Sequence, residues 1–490
     1  GDLLEMKAGP LGYALGAAYR EDSYSFEPDN LSQNQNFIDP IAGLFPNQNS
    51  GGEFDVAELY GEMLIPIISD GPPGIDHFNV EVGGRISDWS IPGVETLASY
   101  KALIDWGFTP NIRLRGGVNK AHRAPNLAEL YTERTQLFGG PPSTYGDQCS
   151  RANLAGPYSA NPAIAGAAQA AHTEAICRAM MGTLGATTYY NTAQATAGGT
   201  GIQNQLGNPD LSEEAADTVT IGLVMNVLEN WTLTFDYYTI EIEQMIALEG
   251  PDSVYGRCLS LASNPSGSIT APGCAQIFRA PSNGNAANID LPYTNTGRAM
   301  VEGVDINVNW SKMFGSGMFA LNSVMNYNMT SETQDRPDLR TFDWAGTTGC
   351  ALQIQCQGYE YRIFTDLNYS RGAWTLGLRH QYWPSIDPAA CAPPQATPTS
   401  CSSALATGGG VKDAYQLFTL TGRYQFGDKY TLQAGIENLL DEEPPITGTN
   451  PLQTPFANPG SHAGIGLGTA VGSTYDPLGR RYFLSLTMDF

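Results

Sequence analysis

The sequence predicts an all-β fold, a transmembrane antiparallel β-barrel of about 15 strands with long loops at one end. Three observations predict it. Apolar and polar residues alternate with period two over segment after segment, the pattern of a strand with one oily and one wet face. Short turns and long loops alternate along the chain, which a soluble sandwich has no reason to do. The 490 residues are 42% hydrophobic and only 15% charged, with 55 Gly and 24 Tyr. Yet no apolar run approaches the roughly 18 residues of a membrane-crossing helix; the longest oily stretch, Met63 to Ile68, is far too short. Lipid offers no partner for unpaired strand edges, so a strand-built membrane protein closes into a barrel.

The elements follow in order. Leu3 to Lys7 is a short strand, turned at Gly9-Pro10-Leu11-Gly12. Tyr13, Leu15, Ala17 and Tyr19 then alternate with Ala14, Gly16, Ala18 and Arg20, before a polar loop over about 27–53. Ala57, Leu59, Met63 and Ile65 oppose Glu58, Tyr60 and Glu62, and Asp70-Gly71-Pro72-Pro73-Gly74 turns the chain. Phe78, Val80 and Val82 lead to Trp89; Thr96 to Phe108 follows, then a turn at Thr109-Pro110. Ile112, Leu114, Gly116 and Val118 oppose Arg113, Arg115, Gly117 and Asn119. The longest excursion, about 123–208, holds an Ala-rich helical stretch from Pro162 to Met181, with Pro near its start.

Strands resume near Thr218 to Val227, turn at Leu228-Glu229-Asn230, and continue with Trp231, Leu233, Phe235 and Tyr237. The apolar parity then shifts to Ile240 and Ile242, as a bulge or an emergence from the membrane would make it do. After a second long loop, about 248–292, come Val304, Ile306, Val308 and Trp310, then Phe319, Leu321, Met325 and Tyr327. Tyr361, Ile363, Leu367 and Tyr369 turn at Arg371-Gly372 into Trp374, Leu376 and Leu378. Phe418, Leu420, Tyr424 and Phe426 turn at Gly427-Asp428 into Tyr430, Leu432, Ala434 and Ile436. The last strand, RRYFLSLTMDF, puts Tyr482, Leu484, Leu486, Met488 and Phe490 on one parity, with Phe483 the exception on the other. Tyr and Trp recur near strand ends, where a membrane barrel carries its aromatic girdles.

The net charge of -24 excludes nucleic acid as a partner, because phosphate binding needs a basic patch. Eight cysteines lie in loop-like sequence as neighbouring pairs, predicting Cys149–Cys177, Cys258–Cys274, Cys350–Cys356 and Cys391–Cys401 disulfides in an oxidising compartment. Metal ligation is the alternative, and no CxxC or Cys/His spacing supports it. The chain opens at Gly1 without a charged segment and apolar core, so no signal peptide is expected in it. If the last strand runs down to the periplasm, an odd strand count makes the first do so too, and closure would pair them in parallel. Antiparallel barrels have even counts, so an odd number of amino-terminal strands is expected to be missing.

Four landmarks carry a family resemblance. Arg123-Ala124-Pro125-Asn126-Leu127 with Glu129-Leu130-Tyr131 is the first. Gly207-Asn208-Pro209-Asp210-Leu211 and Thr296-Gly297-Arg298 through Val301-Glu302-Gly303-Val304-Asp305 are the next two. Gly435-Ile436-Glu437-Asn438-Leu439-Leu440-Asp441, with the closing strand behind it, is the last. In this order, on predicted strand ends, they resemble TonB-dependent outer-membrane receptors of Gram-negative bacteria over nearly the whole chain. The resemblance implies a barrel of about 22 strands filled by an amino-terminal plug. It implies import of scarce nutrients, a siderophore or oligosaccharide, powered by an inner-membrane TonB complex, with loops extracellular and the carboxy-terminus periplasmic. Residues 1–490 then form the carboxy-terminal part of the barrel, and the plug and first strands are expected outside this chain, in the same protein or a second polypeptide. Phe490 takes the role of assembly signal by the same resemblance.

No enzyme is expected. The five histidines are scattered, no phosphate loop opens a helix, and no cofactor or metal is called for. The alternative functions are a passive porin or adhesin barrel and, second, an outer-membrane hydrolase. The candidate ligand-binding residues, chosen by location at the mouth, are Tyr131, Arg134, Phe138, Tyr145, Asp147 and Arg151, because aromatic faces stack on sugars and charges fix polar ligands. Glu58, Glu62, Glu81, Arg85, Arg113 and Arg115 are expected to face the lumen and a plug, the other partners being lipid, TonB and the small-molecule or oligosaccharide ligand.

Overall fold

A computed structural model describes residues 1–29, 33, 47–137, 146–150, 156–186, 202–228, 230–334, 336–337, 341–347, 358–388, 391–393, 401–402, 413–427, 429–445, 475–476 and 478–488. Its strands are β1 (Asp2–Met6), β2 (Gly9–Phe26), β3 (Ser50–Ser69), β4 (His77–Trp89), β5 (Leu97–Thr109), β6 (Ile112–Arg123), β7 (Thr135–Gln136), β8 (Ile202–Leu206), β9 (Glu214–Leu228), β10 (Trp231–Leu248), β11 (Ile277–Arg279), β12 (Ala286–Phe314), β13 (Gly317–Gln334), β14 (Phe342–Asp343), β15 (Tyr361–Arg371), β16 (Trp374–Trp383), β17 (Tyr415–Phe426), β18 (Tyr430–Glu437) and β19 (Arg481–Met488). The helices are α1 (Leu127–Tyr131), α2 (Pro162–Ala165), α3 (Ala167–Met180), α4 (Pro251–Leu259) and α5 (Pro272–Ala275).

The long strands pair in chain order, each antiparallel to the next, from β1 to β6. From β6 the ladder passes to β9, β10, β12 and β13. It then runs through β15, β16, β17 and β18 to β19. These are the alternating segments of the sequence. The short β7, β8, β11 and β14 lie in or beside the long loops; β8 pairs parallel to the loop end of β12. Among the described residues β1 pairs with β2 and β19 with β18, and no ladder joins β1 to β19.

One face of the ladder is oily and open. Leu15, Leu59, Ile86, Leu376, Tyr482 and Leu484 are exposed large side chains, Leu484 at 74%. Such a surface is stable only where the solvent is itself apolar. At the short-turn end this face carries a run of touching rings. Trp231 meets Trp310 at 5.6 Å, Phe314 meets Phe319 at 5.4 Å, and Phe319 meets Tyr369 at 4.6 Å. Trp374 meets Tyr424 at 4.4 Å and Tyr424 meets Phe426 at 4.5 Å. Toward the other end, Tyr361 stacks on Tyr382 at 5.9 Å. Amphipathic rings mark membrane interfaces, so the run at one end and the Tyr361–Tyr382 pair toward the other flank the apolar face.

Three details differ from or sharpen the sequence reading. The helical stretch 162–181 is two helices, because Gly166 takes φ 82° and ends α2 before α3 begins. The parity shift at Ile240 and Ile242 is no bulge: β9 stays in register with β10 through Glu243, and the β12 ladder first slips after Ile242. The parity of Trp231, Leu233, Phe235 and Tyr237 simply turns polar at Thr239 and Glu241, as emergence from an apolar band would make it do. Phe483, the apolar residue on the wet parity, sits over Gly435, where a Cβ would come within 2.4 Å of its ring. The missing side chain makes room for the ring on the wall.

The dry core lies in the loops. Its largest cluster joins Cys149, Ile176, Cys177, Val254, Tyr255, Cys258, Leu259, Cys274, Ile277, Ile289 and Leu291. We call this loop-borne unit of α2–α5, β11 and the start of β12 the crown. A second cluster of Phe54, Ile91, Val94, Leu97, Leu130 and Leu211 lies at the loop end of the ladder.

Candidate functional site

Parity puts Glu58, Glu62, Glu81, Arg85, Arg113 and Arg115 on the face opposite the oily one. Directly opposed residues share a face, and the register pairs Tyr60 with Arg85, Leu64 with Glu81 and Asp105 with Arg115. The charges neutralise one another across strands. Lys101 reaches Glu62 at 2.9 Å and Glu81 at 2.5 Å. Glu58 accepts from Ser87 at 2.8 Å and faces Arg85 at 3.4 Å. Arg115 donates twice to Asp236, at 2.9 and 2.8 Å, and Gly222 leaves the space that pair occupies. Arg113 lies 3.5 Å from Asp105, which also faces the His77 ring at 3.6 Å. Glu81, Asp105, Arg113, Arg115 and Asp236 line a pocket of about 440 Å³. Lys101, Asp105 and Asp236 were missed by the sequence reading. Their wet parity was visible, but the cross-strand partner that makes each a pair was not.

The signature residues form a knot at the loop end of β6. Asn126 caps α1 by accepting from the Glu129 N–H at 2.9 Å, and Glu129 accepts the Asn126 N–H at 2.8 Å, a capping box. Arg123 donates to both oxygens of Glu129, at 2.8 and 3.1 Å, and to Glu214 of β9 at 2.7 Å. The other Glu214 oxygen accepts the Ile246 N–H of β10 at 2.6 Å. Ala124, Pro125 and Leu130 are buried, and Leu127 packs against the second apolar cluster. The second landmark lands on the first: Asn208 N–H donates to the Glu129 carbonyl at 2.8 Å. The residues just before the third reach the second and its flank, with Ser212 N–H donating to Asn295 at 2.8 Å and Asn208 to the Tyr293 carbonyl at 3.0 Å. In the fourth, Asn438 turns at φ 50° and brackets Glu442 with two hydrogen bonds of 2.8 Å. Motifs far apart in sequence thus tie four adjacent strands together.

The mouth candidates separate. Tyr131 lies over Gly52 and joins the second apolar cluster. Arg134 pairs with Asp290 and covers the Phe278 ring at 4.9 Å, with its side chain 33% exposed. Asp147 does not line the mouth. It is wholly buried in the crown, where it accepts from Cys149 N–H at 3.0 Å, Tyr255 Oη at 3.0 Å and two Arg279 nitrogens at 2.8 and 3.0 Å. A carboxylate with every acceptor engaged inside a core is structural, and local sequence did not reveal that Arg279 would reach it. Burial alone would raise the Asp147 pKa, but the Arg279 charge and the donated hydrogen bonds outweigh it and hold it below the usual carboxylate range. Burial and the Asp147 charge push Tyr255 well above its ordinary value. Phe138, Tyr145 and Arg151 lie outside the described residues, as do Cys350, Cys356 and Phe490. Disulfides join Cys149 to Cys177, Cys258 to Cys274 and Cys391 to Cys401.

A sheet that is apolar on one face, charged on the other and crowned by loops at one end defines an outer-membrane type of β-barrel. The family model for the TonB dependent receptor-like β-barrel matches residues 3–439, and the chain belongs to that family. Membership implies a place in the outer membrane. The fold resembles a variant of the ferric enterobactin receptor PfeA from Pseudomonas aeruginosa in complex with enterobactin, at TM-score 0.56 and 16% identity, covering 98% of this chain and 52% of that one. It also resembles the siderophore receptor PirA from Acinetobacter baumannii, at TM-score 0.55 and 14% identity, covering 99% and 53%. The chain spans about half the length of these solved structures. No curated protein sequence matches it.

Proposed function

We propose that this chain is the carboxy-terminal barrel portion of a receptor that captures a scarce nutrient, a siderophore or oligosaccharide, and imports it with TonB-derived energy. The observation that carries the reading is the family match across the ladder. The wet-face ion pairs support it: they are the lumen wall, and Glu58, Glu62, Glu81, Arg85, Arg113 and Arg115 meet a plug there. Further polypeptide, from the same protein or a second chain, supplies the plug and the remaining strands. The crowned end faces outward and the short turns face the periplasm. Arg134, half-exposed against Phe278, is the described mouth group best placed to meet an anionic or planar ligand.

The test uses the assembly purified from its native membrane. Ferric siderophores and oligosaccharides are titrated against intrinsic fluorescence, and uptake is followed in cells with and without a protonophore. Saturable binding with uptake abolished by the protonophore supports the reading. A steady ion conductance in planar bilayers, with uptake indifferent to the protonophore, replaces it with a porin.

A further inference from the structure

Among the described residues, four basic side chains of the long strands share the oily parity: Lys120, Arg298, Lys312 and Arg371. Lys120 and Arg298 lie toward the loop end and are neutralised, Lys120 by Asp217 and Arg298 by Glu241 and Glu332. Lys312 and Arg371 lie at the short-turn end, are exposed, and form no ion pair among the described residues. Lys312 instead sits over the Phe314 ring at 5.8 Å. It is directly opposite Phe319, and Phe319 is directly opposite Tyr369, two residues before Arg371. Neighbouring strands lie about 4.8 Å apart and residues about 3.4 Å along each, which puts the Lys312 and Arg371 Cα atoms about 12 Å apart. Touching rings fill that interval, Phe314 on Phe319 and Phe319 on Tyr369. The Tyr369 ring lies over Gly317, where a Cβ would collide with its hydroxyl. That places the hydroxyl beside the turn between β12 and β13, where it makes no hydrogen bond among the described residues.

Long cationic stems lie along an apolar surface and carry their charge to its edge. In a chain with 49 acidic and 25 basic side chains, two cations left without an acid at the edge of the oily face call for an anion from outside the protein. We propose that Lys312, the Tyr369 hydroxyl and Arg371 form a headgroup site for one anionic glycerophospholipid. The ammonium, the phenol and the guanidinium all donate to the phosphodiester oxygens, the two charged donors making the stronger bonds. The acyl chains then lie along Leu367 and Leu376, which continue the oily face away from the turn. Two cations select a net negative headgroup over a zwitterionic one, whose own ammonium they repel. A free phosphate would meet the same charges but would leave the oily strip beside them unused. The site rests on the ladder lying in the outer membrane and is independent of the nutrient imported.

The assembly purified in detergent is mixed with equal amounts of phosphatidylglycerol and phosphatidylcholine, and the retained lipid is counted by native mass spectrometry. Wild type is expected to retain phosphatidylglycerol about tenfold or more over phosphatidylcholine. Equal retention overturns the proposal without recourse to any variant. Lys312→Gln combined with Arg371→Gln should erase the preference, while Lys312→Arg alone should keep it. Tyr369→Phe, which leaves the ring over Gly317, should weaken retention severalfold. Each variant is scored after its gel migration with and without heating shows a folded barrel. A preference that survives the double substitution puts the lipid elsewhere and overturns the assignment. Displacement of the lipid by inorganic phosphate at equal concentration shows an ion site only and also overturns it. Retention is scored without any nutrient, so its outcome is separate from that of the uptake experiment.

Discussion

The barrel wall and the crown are opposite solutions written in one chain. In the wall Leu59, Ile86 and Leu484 point outward and Glu62, Lys101 and Arg115 lie on the opposite face. In the crown Tyr255, Leu259 and Ile289 are buried, as in a soluble protein. The hydrophobic effect is the same in both; the solvent differs. In the outer membrane that the family implies, such a face needs no dry centre behind it, and the wall is held by its ladder hydrogen bonds. The crown closes a small core of its own, reinforced by disulfides and a buried ion pair.

The largest test of this contrast is Asp147→Asn, which leaves Arg279 charged and unpaired in the crown core. It is expected to destabilise the crown by about 3–5 kcal/mol. Crown-specific proteolysis should rise while the β-sheet circular dichroism of the wall is unchanged; a parallel loss of both would merge the two regions. The pH dependence has a definite sign. The folded Asp147 pKa lies below its unfolded value, so its contribution is present above the ordinary carboxylate range and is lost as pH falls through and below about 4. Acid should therefore open the crown in the wild type, with a weaker response in Asp147→Asn.

A charge on the oily face comes next. Leu484→Arg should cost about 2–4 kcal/mol in bilayer folding titrations, whereas Ser485→Arg, one residue on and facing the other way, should cost close to none. Equal costs would contradict the assigned faces. Asn126→Ala removes the α1 cap and should lower stability by about 1 kcal/mol, read as faster amide exchange at the β6 and β9 ends. The smallest effect is expected from Glu58→Gln. Its partner Arg85 is half-exposed, so thermal stability should shift by less than about 1 kcal/mol.

Much of the wall was legible because a strand's two faces are separated by one residue, and lipid and water sort them. Tyr482, Leu484 and Leu486 declare their face without any knowledge of their neighbours. The turn at Gly372 was equally local, since its φ of 55° suits glycine. The signature residues were visible as motifs, but their role was not. That Arg123 joins Glu129 to Glu214 depends on β9 lying beside β6, across a 90-residue excursion.

By itself, then, the sequence determined the period, the oily face, the girdles and the class of protein, because each rests on residues within a few positions of one another. Only the tertiary structure decided which charges meet. It showed that Lys101 bridges Glu62 and Glu81 on neighbouring strands, and that Asp147 belongs to Arg279 rather than to a ligand. Both results depend on register and chain return, which bring distant residues within hydrogen-bonding reach and leave no trace in local spacing.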